Sequence, residues 1–139
     1  MTFQEKVVNV ATRAGLKVMV KNSNYIQCSF DLGRGRSQIV HLVPVGDLVG
    51  QTVVQISTPV KELPSEPLPA QFADRLLCAN GGFKIGSFGI QESSGKRVLM
   101  FSHNMILDTL DPEEFKVVVL ALAATGDDWE GKLGGQDRF

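Results

Sequence analysis

Cysteine is almost missing from this chain: Cys28 and Cys78 are the only two in 139 residues. Two thiols cannot build the disulfide framework of a small secreted domain, and they suit a reducing cytosol. Histidine is as scarce, with His41 and His103 alone. So few soft ligands, so far apart, offer no metal-binding spacing. Neither sign of charge dominates, since 14 Lys and Arg oppose 15 Asp and Glu for a net charge of −1. That removes any electrostatic drive towards nucleic acid or an anionic membrane. The most apolar run, Val117–Ala124, is far too short to span a bilayer. Thr2–Arg13 is amphipathic and charged, so the chain opens without a signal-peptide pattern. No internal repeat or low-complexity run occurs. What remains is 43% hydrophobic residues, enough for a real core. The expectation is one soluble cytoplasmic domain over residues 1–133, with a loose tail over 134–139, and with no cofactor or metal.

The local patterns specify an α+β chain. Thr2 and Glu5 form a capping box, and Phe3, Val7, Val10, Ala11 and Ala14 share the helical face that follows. Gly15 ends that helix, and Leu16–Val20 is a short candidate edge strand. Tyr25–Leu32, Ser37–Val45 and Gln51–Val60 read as an antiparallel meander, turned at Gly33–Arg36 and looped over Gly46–Gly50. Pro59 is expected to end the third strand, because proline donates nothing to the ladder. Pro64, Pro67 and Pro69 mark an extended connector. Leu68–Asn80 has helical spacing, and Gly81 and Gly82 are expected to close it in the left-handed cap conformation. Lys84–Glu92 and Lys96–Met105 flank the turn Ser93-Ser94-Gly95. Asp111-Pro112-Glu113-Glu114 then caps a last helix, which is able to continue past Gly126 to Leu133.

Each candidate for chemistry has a simpler reading. Ser102 and His103 invite a nucleophile–base pairing, yet neighbours in a strand point to opposite faces. His41 shares a strand face with Ile39 and Val43, as a half-buried histidine would. Gly33-Arg34-Gly35-Arg36 resembles a phosphate loop, but a strand follows it, not a helix N-terminus. Arg34 and Arg36 are therefore expected to be exposed turn residues. Asp108, Asp111, Glu113 and Glu114 gather at a helix start, where the macrodipole accounts for them. Cys28 and Cys78 both read as small core residues. No residue is assigned a catalytic role.

Leu77-Cys78-Ala79-Asn80, Gly86-Ser87-Phe88-Gly89-Ile90 and Leu110-Asp111-Pro112-Glu113-Glu114 carry a resemblance. They are similar to the "L-x-x-N", "G-x-F-x-I/L" and "L-x-P-E-E" motifs of the YbjN-like family of putative bacterial sensory transduction regulators. Val43–Gly46 and Ser57–Val60 look like the family's strand ends. The element order, helix, three strands, helix, hairpin, helix, resembles the type III secretion chaperone-like fold to which that family is assigned. The resemblance implies a non-enzymatic bacterial dimer that binds another protein, here unidentified, and it carries over no catalytic residue.

Apolar residues crowd two neighbouring elements. Phe115, Val118, Val119 and Leu122 make one face of the last helix, while Val117, Leu120, Ala121 and Ala124 make much of the other. In the hairpin, Val98, Leu99, Met100 and Phe101 point alternately to both sides. A single small sheet covers only one side of each. Val117, Leu120, Ala124, Leu99, Phe101 and the lone tryptophan, Trp129, are thus the candidate dimer or partner surface. The competing function is a small-molecule-binding or catalytic domain using His41 or His103 in a concave sheet face. A pocket joining a histidine to Arg36 or Arg97 would favour it.

Overall fold

The computed structural model describes residues 1–33 and 35–134. Arg34, and the tail beyond Gly134, lie outside the described residues. Helix α1 (Phe3–Arg13) starts on the expected box, with Thr2 Oγ1 accepting from Glu5 N and Glu5 Oε1 from Thr2 N. Strands β1 (Met19–Asn22), β2 (Tyr25–Gly33), β3 (Arg36–Leu48) and β4 (Gln51–Leu63) follow. Then come α2 (Ala70–Asn80), β5 (Ser87–Ser93), β6 (Lys96–Ile106) and α3 (Pro112–Gly134). All strands pair antiparallel in the order β1-β2-β3-β4-β6-β5, so the hairpin docks through β6 onto β4.

The meander has one more strand than its three clear patterns suggest. β1 is paired only by β2, and the Asn24 N–H bonds to Asn22 Oδ1 at 2.8 Å in the turn between them. The Gly46–Gly50 loop is corrected to a two-residue turn. Val49 and Gly50 both have positive φ, and β3 reaches Leu48 through a bulge after Pro44. The β5–β6 turn is built the same way on Ser94 and Gly95. Gly81 does not adopt the left-handed cap; its φ is −66°.

Pro59 does not end its strand, which runs on to Leu63. The β3–β4 register stops at His41–Ser57, so the missing Pro59 N–H is not required there. Side chains bridge the gap instead. Thr58 Oγ1 donates to Ile39 O at 2.7 Å, and Gln38 Nε2 donates to Thr58 Oγ1 at 2.5 Å and to Pro59 O at 3.2 Å. Gly126 of α3 sits directly on this node: a Cβ there would overlap Thr58 Cγ2. Gly126→Ala gains about 1 kcal/mol of helix propensity but overpacks the core, typically by about 1–3 kcal/mol. It is expected to be destabilising alone and neutral or stabilising in a Thr58→Ser background. Urea unfolding of the single and double variants reads that change of sign.

One core joins the three helices to one face of the sheet. Val7, Val10 and Ala11 of α1, Leu76 of α2, and Phe115, Val119 and Leu122 of α3 meet Ile26, Val40, Ile56 and Phe101. Asp111 Oδ2 caps α3 by accepting from Glu113 N and Glu114 N, as its position before Pro112 predicts. Asp108 is not a helix-start residue. It bonds Lys6 Nζ and Thr52 N, fastening α1 and β4 to the loop after β6, and the Lys6 ammonium holds its pKa down. Cys28 is in the core, where burial pushes its thiol up to about 11. Cys78, also expected to be a core residue, is exposed on the outside of α2.

Candidate functional site

Among the described residues no helix covers the opposite face of the sheet. Register places Gln27, His41 and Ser57 of β2, β3 and β4 on that face, continuing into Ser102 of β6. The next row runs Pro59, Met100, Gly89. Ser57 is nevertheless only 4% exposed and Met100 only 8%. Neighbouring side chains on the face bury them, because the sheet curves inward, helped by bulges in β2, β3 and β4.

The result is a depression of about 630 Å³. That lies in the range of small-molecule sites. Val43, Pro59, Val98 and Met100 supply its apolar surface. Tyr25, His41 and Ser57 stand at one end, and Ser93, Ser94 and Lys96 at the other. Among the described residues no carboxylate lines it. At the first end Gln27 Nε2 donates to Tyr25 Oη, which is also hydrogen-bonded to His41 Nδ1 at 2.6 Å. Burial lowers the His41 pKa, so the ring is neutral near pH 7. A neutral imidazole carries one proton on its two nitrogens, so the ring offers one donor and one acceptor.

The arginines do not converge here. Arg36 is paired with Asp127 of α3, and Arg97 Nη1 donates to the carbonyls of Pro64 and Glu66. Ser102 is the register partner of Ser57 and His103 of Ile56, so their side chains project to opposite faces. Among the described residues no cluster of three or more His, Cys, Asp or Glu could hold a metal ion. Among them, too, no helix is long and apolar enough to cross a membrane.

The six residues proposed from sequence as a partner surface divide in two. Val117, Leu120 and Ala124 form an exposed stripe on α3, with Val117 58% and Leu120 41% exposed. Leu99 and Phe101 are each 1% exposed, because α2 and α3 cover the side of β6 from which they project. They are core, which corrects their place on a surface. Trp129 is 9% exposed and packs edge-on against Phe83 and Phe88. Arg75 and Lys132 lie over its ring, so the tryptophan docks into its own chain. It still borders a shallow groove between α2 and α3, with Ala124 on the same rim. Sequence reasoning missed Ser57 and Lys96. Ser57 looked like one member of an alternating strand, and only the curvature of the sheet distinguishes it.

No protein-family model matches the chain, and no curated protein matches its sequence. Its fold is similar to a chain in the crystal structure of the ExsC–ExsE complex, at 19% identity and a TM-score of 0.58. The match covers 94% of this chain and 96% of that one. The fold is the type III secretion chaperone-like α+β fold, with a six-stranded antiparallel sheet and three helices.

Proposed function

We propose that this chain is a non-enzymatic, chaperone-like protein-binding domain that works as a homodimer in the bacterial cytoplasm. The observation that carries the reading is the Val117–Leu120–Ala124 stripe, apolar surface on a helix whose other side is already core. Leaving such surface in water costs about 25 cal/mol per Å². A two-fold axis covers it with its own copy and needs no second kind of surface. The likeness to a chain from a complex of two proteins supports the protein-binding part. The YbjN-like group is the branch of the fold to which we assign the chain, on Asn80, Gly86, Phe88, Ile90, Leu110, Pro112, Glu113 and Glu114. Residues 1–133 act as one domain.

A catalytic reading would need His41 with a converging arginine, and both candidate arginines are engaged elsewhere. Sedimentation equilibrium tests the proposal. The wild-type chain is expected as a dimer at micromolar concentration, and Leu120→Asp as a folded monomer with unchanged far-UV circular dichroism. A wild-type chain that stays monomeric at high micromolar concentration would overturn it.

A further inference from the structure

Three features of the concave depression are left unused by the dimer reading. Ser57 is 4% exposed, and its hydroxyl has no hydrogen-bond partner among the described residues. It lines the depression, so its free polar group is open to whatever occupies that space. Lys96 lines the other end and has no ion pair among the described residues. Between the two, Val98, Met100 and Pro59 make an apolar floor, edged by Gln91 beside Val98 and by Gln55 on the far side of Ser57.

The register gives the distance. Ser57 is level with Ser102, and Lys96 lies further along the same strand, β6. At about 3.3 Å per residue that separation is roughly 20 Å, shortened by the reach of the lysine side chain. An occupant touching both ends must be long, with an acid group at one end and a hydrogen-bond acceptor at the other. Its middle must be apolar. A peptide backbone across Val98, Met100 and Pro59 would lay unpaired N–H and C=O groups on an apolar floor, whereas a hydrocarbon chain loses nothing there.

We propose that the depression binds an elongated amphiphilic acid, its anionic head at Lys96, its apolar body over Val98, Met100 and Pro59, and an acceptor at Ser57 and His41. Among the described residues no carboxylate lines the depression, which is the matching electrostatic signature. This site is on the face of the sheet opposite α3 and is independent of the dimer stripe.

The probe is 11-(dansylamino)undecanoic acid, which has a carboxylate head, a hydrocarbon body and a sulfonamide acceptor. Titration into the wild-type chain is expected to give saturable, blue-shifted emission. Laurate should displace it and dodecanol should do so far less well. Lys96→Glu is expected to weaken the probe about tenfold or more, the usual loss for a charge-assisted contact. Ser57→Val is expected to weaken it severalfold while leaving the urea midpoint near that of wild type. Absent binding, or binding unchanged by both substitutions, would overturn the proposal. So would equal displacement by laurate and dodecanol. Binding abolished by Leu77→Ser or Val117→Ser would also overturn it, by seating the probe on the helices.

Discussion

Gly86→Ala is expected to lower the free energy of unfolding by about 2–5 kcal/mol, from two separate causes. Gly86 has φ +84°, where an L side chain meets its own backbone. A Cβ there would also lie 2.6 Å from Phe101 Cε2. Phe101 is 1% exposed and has Phe83 and Phe88 edge-on against it, so the ring has nowhere to retreat. The two causes separate by a second substitution. Phe101→Leu opens space and should recover the steric part of the loss, but the conformational part persists. Urea unfolding of the four combinations would give a coupling energy smaller than the whole Gly86→Ala effect. Full recovery would mean that the backbone conformation costs nothing.

Asn80→Ala is expected to cost about 2–4 kcal/mol, because it orphans two backbone groups at once. Asn80 ends α2, and its side-chain amide stands where a neighbouring strand would be. Its Oδ1 accepts from Phe88 N at 2.7 Å, and its Nδ2 donates to Phe88 O at 3.3 Å. β5 is an edge strand, and this amide closes part of its open ladder. Asn80→Asp keeps the acceptor but sets a carboxylate against a carbonyl oxygen, so it should be as harmful as alanine or worse. Hydrogen exchange at the Phe88 amide should accelerate in both variants before the core strands respond. An unchanged Phe88 amide would contradict this role.

These two residues also mark what the sequence makes legible. Asn80 and Gly86 stand in the motifs of a resemblance, and their spacing reads only as a turn and a close approach. The partners, Phe88 and Phe101, become visible once the hairpin is folded against α2. The N-terminal caps of α1 and α3 were legible, since Thr2, Glu5 and Asp111 act on backbone groups within three residues, whereas the left-handed cap expected at Gly81 was not adopted. Pro59 misled because a local rule was applied to a central strand, where the bulge and the Gln38–Thr58 side chains take over the ladder. Leu99 and Phe101 were placed on a surface because alternation reveals two faces but not which face a helix covers, and Trp129 because its polar segment gives no sign of the Phe83 and Phe88 rings it docks against. Ser57 was invisible for the same reason. Its burial comes from curvature of the whole sheet, which no short window encodes.

The proposed dimer through α3 is tested most directly by cross-linking at its centre. Leu120→Cys in a Cys78→Ser background leaves one accessible thiol, because Cys28 is fully buried with its thiol pushed up to about 11. Val49→Cys in the same background is the control, 95% exposed at the far turn between β3 and β4. Mild oxidation is expected to convert the Leu120→Cys chain rapidly and nearly completely to a disulfide-linked dimer, and the Val49→Cys chain slowly and partially. Equal slow rates for the two variants would contradict a two-fold contact through Val117, Leu120 and Ala124.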